Sequence, residues 1–522
     1  MKLANVNTTD IKDAVAMGCR TMSSVFNADD NDIPFFGSSV LPTSWLGFHP
    51  YHSESHVPGR HLNAMLTAEA VLGIRLEEPA VEKQARTAFF SYSGAVPLPL
   101  NRPTEDGKLT NFAPHNIREG FHALYALVRY RKSAKAREVA EASIAAINDL
   151  WTPERDWDKQ KLEGKYGLKI IDFDSPFIGG IARAIGPLVK YHQATGYTPA
   201  LRLATVLKDK ALDGFFPASG ACEIERLGSH THSITCTLSS LAQLADATND
   251  AALKARVKAF YDRGLLDISN SIGWSPENAK QITTLDLGEA NNTGDILETA
   301  LLLGSWGYTD CYHHAERILR GHLLPSQLRD TSFIPEADNP QNKDSRRNIP
   351  ARHKGAFGFP APYGHVPANR KEISFNMDIV GGAVSSLCEA WRCLSQSDSK
   401  GHTLNLLFDH ENDNLLVRSP YTSNALQITV KRPGPLKVRI PSWVNISKLE
   451  LRGTTTKPRI VEGYLTIPKP TVGKPITIVF PLTEQKTELR YRDRRIRALH
   501  RGDAIIAMEN FGTGQNYFDP LP

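Results

Sequence analysis

Six stretches of this chain are apolar almost all the way round. They are "GRHLNAMLTAEAVLGI" from Gly59, "REGFHALYALVRYRKS" from Arg118, "ARAIGPLVKYHQATG" from Ala182, "GSHTHSITCTLSSLAQLADATND" from Gly228, "GDILETALLLGSWGYT" from Gly294 and "GGAVSSLCEAWRCLSQ" from Gly381. Their Ala, Gly, Leu and Ser recur at helical spacing, with no broad polar face. Such a helix needs cover on most sides. Five are followed by a more amphipathic helix, as in "SAKAREVAEASIAAINDLW" from Ser133 and "AALKARVKAFYDRGLLDI" from Ala251. The units repeat every ~50 to 90 residues, too unevenly for a simple solenoid. Six buried helices ringed by six outer ones predict a closed (α/α)6 toroid over residues 51–401. Residues 1–50, rich in Pro, Gly and aromatics, read as a lead-in packed on that barrel. After about residue 402 the pattern changes to short alternating runs split by Pro, Gly and Asn, which predicts a C-terminal antiparallel β-sandwich over 402–522.

Composition narrows the function. A net charge of +5 over 522 residues, with no block of like charges, is no footprint for nucleic acid. No run of eighteen apolar residues exists, so no membrane partner is expected. Cys19, Cys222, Cys236, Cys311, Cys388 and Cys393 are scattered, without a Cys-x-x-Cys pair. They read as buried thiols in a reducing compartment. "MKLANVNTTDIKDAVAMGCR" lacks the apolar core of a signal peptide, so a cytoplasmic location is expected. The expected assembly is a monomer or a homodimer.

The unusual polar residues gather just ahead of the buried helices. His49, His52, Glu54, His56, Arg60 and His61 precede the first. His115, Arg118, Glu119 and His122 lead the second. Asp172, Asp174 and Arg183 lead the third, and His230 and His232 the fourth. Trp274, Glu277, Asp286, Glu289, Asn291, Asn292 and Asp295 lead the fifth. Tyr363, His365, Arg370 and Asp378 lead the sixth. Each group alone suits loops and helix caps. In phase with the repeat, all six would meet at one end of the toroid. Carboxylates, imidazoles, amides and an indole around a cavity suit an oligosaccharide. His230 and His232, two apart, do not share a helix face, so no metal and no cofactor is expected.

The order of hairpins, "GWSPE…LGEANNTGD", "YHHAERILRGHLL" and the tail "VRIPSWV…GYLTIPKP…ITIVFPL" resemble glycoside hydrolase family 127, the β-L-arabinofuranosidase-like proteins, and wider six-hairpin relatives. The Arg439–Trp443 stretch is the most specific element. The resemblance implies an (α/α)6 barrel with β-sandwich parts and an acid/base glutamate at Glu277. It also implies a glutamate matched by Glu289, a substrate-contacting histidine at His230 and another at His122. A cysteine nucleophile and a zinc held by the glutamate and cysteines are further implied. Here Ala290 and Asn291 stand where Thr and Cys would follow Glu289, and Met377–Asp378 replaces a Cys-Cys pair, so neither the zinc site nor the nucleophile carries over.

The reading that follows is a metal-independent, exo-acting glycoside hydrolase on plant or microbial oligosaccharides. Glu277 would protonate the leaving oxygen, with Glu289 or Asp378 activating water, the carboxyls ~6.5–9.5 Å apart. Burial beside Trp274 would raise the acid's pKa. His61, Arg60, His122, Arg118, His232, Trp274, Asn292, Tyr363 and His365 would bind sugar. The alternative is a polysaccharide lyase, in which Arg60, Arg118 or Arg183 neutralises a uronate and His230, His232 or Tyr363 moves the proton. A third reading is a carbohydrate-binding or scaffold protein without catalysis.

Overall fold

Helices without a polar face must share cover, and a ring is the arrangement that covers all of them. The computed structural model describes residues 2–455, 457 and 459–521. Its helices are α1 (Ile11–Met22), α2 (Val57–Leu72), α3 (Glu78–Ser91), α4 (Ile117–Arg131), α5 (Ala134–Leu150), α6 (Ile185–Thr195) and α7 (Thr198–Gly214). After these come α8 (Ile224–Leu227), α9 (Thr231–Thr248), α10 (Ala251–Asp262), α11 (Ala290–Ser305), α12 (Thr309–Ile318), α13 (Ile349–His353) and α14 (Met377–Cys393). The inner ring runs α2, α4, α6, α9, α11, α14 and back to α2. In α9 every residue from Thr231 to Ala242 is buried. The outer helices α3, α5, α7, α10 and α12 each pack on the inner helix before them. The sixth outer position, behind α14, is taken by α1, which also touches α2. The N-terminal segment thus supplies a helix of the outer layer.

Close approach in the ring depends on small residues. A Cβ at Gly59 would stand 1.9 Å from the Glu119 carbonyl oxygen, so only glycine lets α2 lie this near α4. That contact brings Arg60 beside Glu119.

Beyond α14 two five-stranded sheets face each other. One runs Ser395–Asp398, Gly401–Leu404, Leu436–Arg439, Tyr464–Ile467, Ile460–Val461. The other runs His410–Glu411, Leu415–Arg418, Leu426–Val430, Pro475–Val479, Glu450–Arg452. Leu404, Val417, Ile428, Val438, Leu465 and Ile478 fill the space between them. The pairing is antiparallel except between Gly401–Leu404 and Leu436–Arg439, which run parallel. A three-stranded meander, Glu484–Tyr491, Arg494–Arg501 and Ala504–Met508, then returns to the barrel. Its Leu489, Tyr491, Ile496 and Met508 share a core with Trp274 and Tyr363.

The Arg439–Trp443 stretch is the joint between these parts. Arg439, 1% exposed, binds the Glu316 carboxylate of α12 and the Asn405 carbonyl. Glu316 also accepts from Arg320 at 3.0 Å and from the Leu407 amide at 3.2 Å. Trp443 donates its indole N–H to Asp503 at 3.0 Å, and Asp503 meets His313 of α12 at 2.7 Å. The most distinctive stretch of the sequence therefore serves architecture. Among the described residues, no helix is long and apolar enough to cross a membrane.

Candidate active site

The first turns of the inner helices converge on one end of the barrel. Glu119, fully buried in α4, is the hub. Its Oε1 accepts from Arg118 at 3.0 Å, Arg183 at 3.0 Å and Arg60 at 3.3 Å. Burial alone would raise this carboxyl, but the arginines and His56 outweigh it and hold it well below the usual range. His232 closes the network. Its Nδ1 accepts from Arg183 at 3.2 Å and Arg60 at 3.3 Å, and its Nε2 faces Asp295 Oδ2 at 3.3 Å. Burial and the guanidiniums push its pKa well down, so it stands as neutral imidazole donating from Nε2.

Two carboxyls above this base are driven apart. Asp378, in the first turn of α14, meets His56 Nε2 at 3.2 Å and Arg60 Nη1 at 3.3 Å. Burial opposes its ionisation, yet Arg60 and His56 prevail and lower it to about 2. Glu289, which precedes α11, is buried, and its carboxyl accepts from Asn291 Nδ2 at 2.7 Å. Burial raises it to about 8 against the pull of Arg60, so it is neutral at pH 7. In that state it is a donor, and Asp378 is the ionised member of the pair. The proton on Glu289 also predicts a pH signature. The folded pKa lies above the ordinary 4.5, so the stability tied to this proton is full below that value and lost as pH rises through about 8. Glu289→Gln is expected to melt above wild type near pH ~9 and to match it near pH ~5, measured by thermal denaturation.

Glu277 stands at the mouth, half-buried, with its pKa raised by burial against Arg370. Its segment is pinned by Glu277 N–H to the Leu287 carbonyl at 2.9 Å and by Ala279 N–H to the Ser229 carbonyl at 2.7 Å. The second bond joins it to the His230 segment. Glu277 lines a cleft of about 290 Å³ with Gly37, Trp45, Phe359, Arg370 and Asn376. On the other side of the mouth His230 lies in ring contact with His115 at 5.3 Å and Phe173 at 6.0 Å. His115 stacks on His56 at 5.3 Å, and His52 stacks on His49 at 4.5 Å. Burial lowers His230 to about 3 and His49 to about 4, so these two rings are neutral imidazole.

Several residues expected to touch sugar have other work. Trp274 is 1% exposed, gives its indole N–H to the Pro360 carbonyl at 2.9 Å and packs on Tyr491, so it does not border Glu277's cleft. Tyr363 donates to Asp286 at 3.0 Å and accepts from the Ala368 amide; Asp286 is held in turn by Arg494 of the meander at 2.6 Å. His365 is buried against Tyr517 and Phe375. His61 bridges the Met377 carbonyl at 2.8 Å and Gln84 at 2.9 Å, which positions the start of α14. Asn292 ties α11 to the Pro276 carbonyl at 2.9 Å. Arg118 and His122 lie deeper, beside an enclosed polar void of about 20 Å³, room for one water. The helix itself begins at Ala290, earlier than the Thr293–Gly294 start read from the sequence.

The zinc implied by the resemblance does not fit these residues. Asn291 spends its amide on Glu289, and Asp378 is taken by a guanidinium and an imidazole. His232, Cys236 and Asp295 do bring ligand atoms within 4.8 Å of one another. However, Arg183 contacts both His232 and Cys236 Sγ, and Arg118 lies 3.7 Å from Asp295, so buried positive charge already fills that corner.

No protein-family profile and no curated protein matches this sequence. Solved structures do match. A GH127 β-arabinofuranosidase superposes with a TM-score of 0.58 at 13% identity, covering 95% of this chain and 78% of the other. A GH127 β-L-arabinofuranosidase from Geobacillus stearothermophilus T6 gives 0.54 at 14% identity, covering 95% and 80%. A protein named only as a glycoside hydrolase gives 0.54 at 9% identity, covering 92% and 84%. At these identities the likeness is one of fold, and the chain has the six-hairpin (α/α)6 glycosidase architecture with C-terminal β-sheets.

Proposed function

We propose that this chain is an exo-acting glycoside hydrolase working without a metal. The observation that carries the reading is the pair of carboxyls at the barrel end held in opposite protonation states, Asp378 ionised and Glu289 neutral. Glu277, with its raised pKa and its place in the cleft, is the proton donor to the glycosidic oxygen. Asp378 faces the positive charge that develops at the anomeric carbon and orients the incoming water. Glu289, as a neutral acid, donates to a sugar hydroxyl. The fold shared with named glycosidases points the same way.

The test is product analysis on a panel of 4-nitrophenyl glycosides and neutral plant oligosaccharides. Release of nitrophenol or a terminal sugar is expected, with a rate that falls as pH rises and Glu277 loses its proton. In Glu277→Gln the part of that decline owed to Glu277 should vanish, leaving the one near 8 that belongs to Glu289. An unsaturated, ultraviolet-absorbing product would replace this reading with the lyase. Binding without turnover of any substrate would leave a carbohydrate-binding protein.

A further inference from the structure

Trp45 sits on the strand Trp45–Gly47, which pairs antiparallel with Gly37–Ser39. In this register Trp45, Gly47, Gly37 and Ser39 share one face of the hairpin. The indole lies along that face. A Cβ at Gly47 would stand 2.7 Å from its Cζ3, and one at Gly37 would stand 3.7 Å away. Glycine at 47 is what lets the ring lie flat on the backbone. The ring is half-buried and borders the Glu277 cleft, and among the described residues no hydrogen bond holds its Nε1. A flat indole bedded on glycine at the border of a cleft is built to hold something.

The hairpin is fixed to the catalytic end of the barrel. Ser38 binds both the amide and the carbonyl of Phe375, with the Phe375 N–H at 3.1 Å from its Oγ. The Met377 N–H donates to the Phe36 carbonyl at 2.8 Å. Trp45 and the first turn of α14, with Asp378, therefore move as one piece. Across the cleft stand Glu277, Phe359 and Asn376.

Resting on the hydrolase reading, we infer that Trp45 is the platform of a leaving-group subsite, on which the second sugar of a neutral oligosaccharide stacks while Glu277 protonates the bond between the sugars. A neutral sugar ring offers an apolar C–H face to the indole and a hydroxyl to its N–H. Asn376 is the second polar contact at its edge. The N-terminal hairpin thus makes the enzyme select glycans over compounds whose leaving group is small.

The experiment uses the full chain labelled with 5-fluorotryptophan, whose seven indoles give seven fluorine resonances. Trp45→Phe assigns the one that matters. Cellobiose, xylobiose, galactobiose and arabinobiose are titrated in turn, in wild type and in Glu277→Gln, with calorimetry in parallel. The expected result is a saturable shift of the Trp45 resonance with at least one disaccharide, preserved in Glu277→Gln. Trp45→Ala should weaken that disaccharide about tenfold or more, and Trp45→Phe much less. Disaccharide binding seen by calorimetry while the Trp45 resonance stays still would overturn the platform and leave the hydrolase reading intact. If no disaccharide binds and none is cleaved, both fall together.

Discussion

Glu277→Gln lowers turnover of an oligosaccharide by about 10²–10⁴-fold, the usual contribution of a positioned general acid. The substitution keeps shape and hydrogen bonding and removes only the proton. Because Glu277 is half-buried and held by its backbone, the melting temperature should barely move. The loss should shrink with 4-nitrophenyl substrates, whose leaving group needs little protonation. Asp378→Asn should lose a comparable factor on both substrate types, since both develop charge at the anomeric carbon. Added azide should restore part of it by supplying the missing anion. Glu223→Gln serves as the control, because Glu223 is on the surface pairing with Arg226. Steady-state rates on the two substrate classes decide the matter. Equal activity of Glu277→Gln and wild type on an oligosaccharide would remove Glu277 from the mechanism.

Glu119→Gln should be the most destabilising change in the barrel. One oxygen of Glu119 holds three guanidiniums, two of them from residues with no exposure beyond 3%. Removing its charge leaves uncompensated buried cations, which costs about 3–5 kcal/mol. The folded pKa is depressed, so this stability is present above the ordinary carboxylate range and lost as pH falls toward the folded value. The gap between variant and wild type in urea melts should therefore be widest at neutral pH and narrow toward acid. A variant as stable as wild type at neutral pH would mean that the arginines find other partners.

The ring of helices was legible in the sequence because burial on all sides leaves a plain mark: α2, α9, α11 and α14 have no polar stripe. The chemistry was legible at the level of segments. His56 and Arg60, Glu119, His232, Glu289 and Asp378 come from five different units and meet because each precedes or opens an inner helix. Which member of a segment faces the pocket was not legible. Trp274 looked like the sugar-stacking indole, but Tyr491, more than two hundred positions away, packs on it. Trp45 gave no signal in a Pro- and Gly-rich lead-in, since only the hairpin register sets it over Gly47. The start of α11 was misread because Asn291-Asn292-Thr293 has poor helix propensity. There Asn292 and Thr293 bond back to the carbonyls of Pro276 and Gly273, and tertiary contacts override the local preference.

The place of α1 has a consequence for how the protein is made. On a ribosome this helix emerges before every helix of the inner ring, yet its main seat is on α14, whose last residue is Cys393. Until then its apolar side, with Ile11, Val15, Cys19 and Met22, has only its lesser neighbour α2 to rest on. The helix must wait through most of synthesis, exposed to chaperones and to other nascent chains. A contact of such sequence separation forms late and slowly. A helix that precedes the ring in sequence is thus the piece that locks it, and removing that helix should leave a barrel that assembles but does not seal.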